Sequence, residues 1–382
     1  MSAAGDRIPL DTVRDLLRIG QPLPFRVLDL HERLLLNEGQ VLLDDGQFES
    51  LVERGAWAER ALVEAARAAA QKARKPSPEL TLFDRWERLL WKFDALTRAL
   101  VRQTARADTI PAFLRELVEL IDRDPDVALF LCVRQADRRF ALYALTHAIH
   151  CAVVAVLSGR QLGWPAARLE ALGCGALTMN LATLELQAVM AEQDTAPTAR
   201  QMAQIRAHPE ASARLLRAAG AADEDWLAAV AQHHEHVDGG GYPHGLVVVD
   251  EAAQVLRAAD VYMAKLSPRA KRPPMLPQTA ARQLFQTRPG DPLAMAMIKT
   301  VGVHPPGSLL QLCSGEVAVA IRRPASGTQP LVATLSDRSG RPHAQTQRRD
   351  TADPEFAVVA PLPDSKPFAR VLPERVYGVI AG

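Results

Sequence analysis

Aromatic residues make up only 5% of the chain, and basic and acidic side chains nearly cancel, 45 against 44. The resulting net charge of +1 removes any global electrostatic case for nucleic acid or an anionic membrane surface. So few aromatics also leave no platform on which single-stranded bases could stack. No uninterrupted apolar run approaches the ~20 residues of a membrane-spanning helix. The opening stretch, Met1 to Asp11, lacks the basic and apolar regions of a secretion signal. Cysteine is scarce: Cys132, Cys151, Cys174 and Cys313 are scattered, with no CxxC pair. That usage reads as reduced thiols in a cytoplasmic protein.

What is present is length and apolar content: 382 residues, 48% of them hydrophobic, enough for two or three ordinary domains. Four segments differ in character. Residues 1–57 form a small mixed α/β module, with short strands expected at Phe25–His31 and Leu34–Gly39 and a helix from Gln47. Residues 58–130 are a helical connecting region, with helical spacing at Leu62, Ala65, Ala66 and Ala69 and again from Trp86 to Leu100. The basic run 71–78, ending in two prolines, interrupts it as a solvated loop. Residues 131–301 are again helical and hold seven of the ten histidines. Residues 302–382 carry short β-prone runs, Leu309–Leu312, Glu316–Ile321 and Leu331–Leu335, separated by Pro/Gly turns. They read as an appended antiparallel sheet. The fold class is therefore mainly α, with a β-rich module at each end.

The strongest local signal is His233-His-Glu-His-Val-Asp-Gly-Gly-Gly-Tyr-Pro243, which closes the amphipathic run from Trp226. Adjacent helical side chains diverge by about a third of a turn. Two such imidazoles suit two metals, or a metal and a phosphate, rather than one shared ion. The three glycines offer positive φ for a sharp turn. His208-Pro209, the pair His147 and His150 at i, i+3, and Asp260 on an apolar helix complete the constellation, and together they point to a metal or phosphate site.

These residues resemble the HHExxDGxGYP signature of HD-GYP domains. Gly245-Leu246, Ala259-Asp-Val-Tyr262, and Arg269 with Arg272, where the family has RPYR, agree with it. The resemblance covers roughly residues 140–300 and implies an all-helical metallo-phosphodiesterase domain acting on cyclic di-GMP with iron or manganese. Carried over position by position, it makes His147, His208, His233, His234 and Asp260 metal ligands. Arg269, Arg272 and Tyr242 become ligand-binding residues. The loop Asp238, Gly239, Gly240, Gly241, Tyr242 and Pro243 becomes a contact surface for diguanylate cyclase (GGDEF) domains.

The defining His-Asp pair is replaced. Where the family reads roughly ALLHDIGKI, Met179 stands for the histidine, Asn180 for the aspartate and Thr183 for the lysine. Tyr143 stands where the family has a glutamate, four residues before His147. An asparagine offers one neutral carbonyl oxygen where a carboxylate would bridge two dications, and a thioether is a poor ligand for hard metals. Two-metal hydrolysis should therefore fail, leaving a binding or interaction module in bacterial cyclic di-GMP signalling with one iron or manganese ion or none. The alternative is an active phosphodiesterase with a reduced metal set, built on His208, His233, His234 and Asp260.

Overall fold

The computed structural model describes residues 6–70, 80–135, 140–270, 272–287, 290–324, 326–343, 345–363, 368 and 371–378. The basic run 71–78 lies outside them. Strands β1 (Arg7–Pro9), β2 (Val27–Leu28), β3 (Leu34–Leu36) and β4 (Trp57–Glu59) make an antiparallel sheet in the order β1-β4-β2-β3. The strands expected at residues 25–31 and 34–39 are thus trimmed to two and three residues. β1, too short to show alternation, exists through its pairing with β4, Ile8 opposite Ala58. β4 begins at Trp57, the last residue assigned to this module. Helix α1 (Asp45–Glu53) starts two residues before Gln47, because the Asp44 carboxylate accepts from the Gln47 N–H and caps it.

Helices α2 (Arg60–Ala70), α3 (Leu82–Val101), α4 (Thr109–Arg123) and α5 (Pro125–Val133) follow. Thr81 and Asp84 close a capping box at the start of α3. The apolar face of α3 joins Phe25, Leu35 and Leu51 of the first module to Phe113 and Leu117 of α4 in one continuous core. Asp94 on α3 is fully buried and takes Arg54, just past α1, and Arg98 as partners.

The helical centre contains α6 (Tyr143–Gln161), α7 (Ala166–Thr178), α8 (Leu184–Glu192), α9 (Ala199–Ala218), α10 (Glu224–Gln232), α11 (Glu251–Leu266), α12 (Pro277–Thr287) and α13 (Pro292–Val301). α6 is its axis, packed between α7, α11 and α13. By length and composition it is apolar enough to cross a membrane, since Thr146, His147, His150 and Ser158 interrupt its apolar runs without lowering its mean hydropathy far. Packing accounts for that composition, with 78% of its most apolar stretch buried inside the domain.

The last segment folds as β5 (Leu309–Leu312), β6 (Val317–Arg322), β7 (Leu331–Thr334), β8 (Arg348–Asp350) and β9 (Val358–Leu362), ordered β8-β7-β6-β5-β9 and antiparallel throughout, then α14 (Pro373–Tyr377). One face covers Phe130 of α5, whose ring meets Tyr377 edge-on. Asp124 and Asp126, buried at the start of α5, pair with Arg322 and Arg323 at the end of β6. Asp124 also caps α5 by accepting from two backbone N–H groups. Asp124→Ala removes both the cap and the pairing with Arg322. It is expected to lower unfolding free energy by about 2 kcal/mol, measured by denaturant titration. A change under about 0.5 kcal/mol would show that neither contact bears on stability.

Candidate metal centre

His208 lies within α9, which runs unbroken through Pro209 to Ala218 instead of ending before the proline. Pro209 has no N–H, so the Ile205 carbonyl lacks its usual helical donor. The Nδ1–H of His208 donates to that carbonyl at 2.5 Å. A similar device serves His233, which caps the C-terminus of α10, where carbonyls lack helical donors. Its Nδ1–H donates to the Val230 carbonyl at 2.7 Å. With both Nδ1 protons so engaged, the two Nε2 lone pairs face each other 3.1 Å apart.

Helical spacing of adjacent residues suggests two metals, or a metal and a phosphate, for His233 and His234, while the reduced metal set gathers both with His208 around one ion. In the fold the chain leaves the helix at His233, and the two rings tilt together with centroids 4.2 Å apart. His208, His233 and His234 thereby place one donor atom each within 4.8 Å of one another. Burial holds His208 and His233 below the ordinary imidazole value and takes His234 down to about 4. The facing Nε2 lone pairs of His208 and His233 cannot satisfy each other by hydrogen bonds. A dication can, and the backbone bonds to Nδ1 are the orienting contacts a metal-binding histidine needs. The donor set fits a first-row metal.

A second triad adjoins it. The Nε2–H of His147 donates to Asp260 Oδ1 at 2.8 Å, and Cys151 Sγ lies 3.5 Å from the same nitrogen. Burial alone would raise the Asp260 carboxyl. The His147 hydrogen bond and the nearby imidazoles of His234 and His233 hold it well below the usual carboxylate range. Asp260 is thus the anionic group between the two triads. Cys151 was missed in the sequence, although its i, i+4 spacing from His147 is the signal that finds it. His150, three residues after His147, belongs to neither triad.

Met179 is fully buried in the core and Asn180 is 3% exposed. Thr183 donates to the Asn180 carbonyl at 3.3 Å. Tyr143 stacks on His147, ring centroids 5.6 Å apart and nearly parallel, and its hydroxyl accepts from Arg269 at 3.0 Å. Arg272 is exposed and donates to the Ala264 carbonyl.

The glycine-rich loop wraps the three-histidine triad. Tyr242 stacks on His234, with centroids 4.5 Å apart. Of the three glycines only Gly239 has positive φ, at 76°. Gly241 is needed for a different reason, since a Cβ there would sit 2.4 Å from the His236 nitrogen. Glu235, buried beneath, accepts from the N–H groups of His244 at 2.7 Å and Leu246 at 3.0 Å. Exposed Arg206 and half-buried Arg257 lie near Tyr242 and add positive charge to the rim.

Residues 134–289 match the HD domain family. The chain is 25% identical over 185 residues to the cyclic di-GMP phosphodiesterase PA4108 of Pseudomonas aeruginosa, covering 47% of this chain and 45% of that protein. The chain therefore aligns with less than half the length of that relative. In fold it is similar to Bd1817, an HDG"Y"P protein from Bdellovibrio bacteriovorus, with a TM-score of 0.50 and 13% identity, over 77% of this chain and 98% of that one.

Proposed function

We propose that this HD-GYP domain protein, whose residues 134–289 match the HD domain family, binds cyclic di-GMP at its helical centre in bacterial signalling without the turnover of a complete two-metal phosphodiesterase. The observation that carries the reading is the pairing of an intact three-histidine pocket with the Met179-Asn180 sequence. Donors oriented by backbone bonds remain at His208 and His233, with the His234 ring held beside them against Tyr242, while no carboxylate stands at 179 or 180. A dication in that pocket, iron or manganese by the family resemblance, supplies Lewis acidity toward a phosphate oxygen.

The surrounding side chains suit an anionic, base-bearing ligand. Arg206 has no acidic partner among the described residues, and together with Arg257 and Arg269 it places positive charge where phosphates would lie. The Tyr242 ring offers a stacking surface on the same rim. A cytoplasmic location goes with a nucleotide second messenger and with four unpaired thiols.

Calorimetry with cyclic di-GMP, run beside a hydrolysis assay with added Mn²⁺ or Fe²⁺, tests the reading. Binding with turnover far below the roughly 1 s⁻¹ of slow competent enzymes is expected. Turnover at or above that rate would overturn it in favour of an active phosphodiesterase with a reduced metal set.

A second use of the loop has its own observation. Val237, Val247 and Val248 beside Asp238–Pro243 are all more than half exposed, Val248 at 85%. An apolar fringe on a glycine-rich loop suits a protein partner, here a GGDEF domain. Val248→Asp is expected to abolish binding to an isolated diguanylate cyclase domain and leave cyclic di-GMP binding unchanged. Equal cyclase affinity in the variant would dismiss this use.

A further inference from the structure

We propose that Cys151 is a metal ligand: with His147 and Asp260 it forms a second cation position, suited to a borderline-soft dication such as Zn²⁺, Co²⁺ or Fe²⁺. The inference rests on the reading of this centre as metal-binding.

The geometry is that of one α6 face. Tyr143, His147 and Cys151 follow at i, i+4 and i+8, so their side chains stack along the face turned toward α11 and Asp260. Tyr143 contributes a ring wall against His147, and its hydroxyl is occupied by Arg269. No acidic ligand therefore comes from the turn before His147. The turn after it brings a sulfur within 3.5 Å of Nε2, and all three donor atoms lie within 4.8 Å of one another. His147 and Cys151 are a helical i, i+4 pair, the spacing at which two side chains reach one ion.

Hydrogen bonds alone leave this cluster unsatisfied. When Nε2–H donates to Asp260, it has no lone pair left for the thiol proton, and Cys151 has no other polar contact among the described residues. A dication satisfies Nε2, the sulfur and the carboxylate together. The imidazole proton moves to Nδ1, Nε2 binds, the thiol loses its proton to solvent, and the carboxylate completes the set. A thiolate shifts preference toward softer first-row ions and away from Mn²⁺ and Mg²⁺.

The test is titration of the full chain with Co²⁺, followed by absorption spectroscopy and elemental analysis. The wild type is expected to show a near-ultraviolet thiolate-to-cobalt band as well as visible ligand-field bands. Cys151→Ser and Cys151→Ala should both lose the near-ultraviolet band and keep visible absorption from the three-histidine pocket. Cys132→Ala and Cys313→Ser should retain it, which excludes the neighbouring buried thiol and the exposed one. Circular dichroism of both Cys151 variants checks that the fold persists. In competition, excess Mn²⁺ should fail to displace the thiolate-bound cobalt, whereas Zn²⁺ should displace it. Cobalt bound without the thiolate band, or a band that survives both Cys151 substitutions, overturns the role of Cys151 while leaving the three-histidine pocket. Failure of the chain to bind cobalt at all overturns the metal-binding reading itself, and this proposal with it.

Discussion

His233→Ala is expected to strip the three-histidine pocket of its cation, weakening affinity by more than the roughly 100-fold that loss of an outer contact to a metal site costs. Two things fail together in that variant. The donor disappears, and the Val230 carbonyl loses the Nδ1–H that now satisfies it at 2.7 Å. His233→Gln separates them, because a side-chain amide still offers a donor to the carbonyl at similar volume but supplies a weaker ligand. Elemental analysis after dialysis should find metal sharply reduced in both variants, with His233→Gln the more stable to heat. Full metal retention in His233→Ala would mean that His208 and His234 bind without it, and that the 3.1 Å approach of His208 to His233 is only core packing.

The largest expected effect on folding belongs to Asp94→Ala. Asp94 is fully buried, between Arg54 at the end of α1 and Arg98 one turn along α3. Both arginines are themselves mostly buried, and burial weighs against the charge of each. Removing the carboxylate leaves Arg54 without its ion partner in a largely desolvated seam, while Arg98 keeps Glu53 at 3.0 Å, at a cost of about 3 kcal/mol. Urea titration of the variant checks this. Because the seam joins the N-terminal module to α3, the loss should appear as a lower midpoint of the whole transition. A midpoint within error of wild type would show that solvent reaches the arginines and that the pair is weak.

The helical framework and the members of the three-histidine triad were legible in the sequence for definite reasons. Apolar spacing announced α3, and a His-Pro dipeptide and a run of imidazoles before glycines stand out in any context. Other features depend on contacts between distant segments. β1 is three residues long and is held by β4, some fifty positions away. β8 and β9 were not anticipated because charged residues and prolines hide their pattern, and their partners lie across the sheet. The convergence of His233 and His234 stood only as the alternative, because adjacent residues diverge on a helix and the helix ends at His233. Cys151 escaped because a second imidazole at His150, three residues from His147, is the more conspicuous pattern, whereas it is the thiol four residues on that meets the His147 ring. The support beneath the loop was hidden for a related reason: Glu235 reads as one more charged residue until its two backbone donors, nine and eleven positions ahead, fold over it.

The crowding at Gly241 bears on how this loop can be watched. Gly239 needs a left-handed backbone, and Gly241 has no room for a single carbon. At Gly240 an added Cβ meets only the Asp238 carboxylate, the far end of an exposed side chain that accepts from the Gly240 N–H, at 3.1 Å. Of the three, position 240 is therefore where a fluorophore or spin label can be attached. Gly240→Cys, made together with Cys313→Ser to silence the exposed thiol, sets an optical reporter two residues from the ring that stacks on His234.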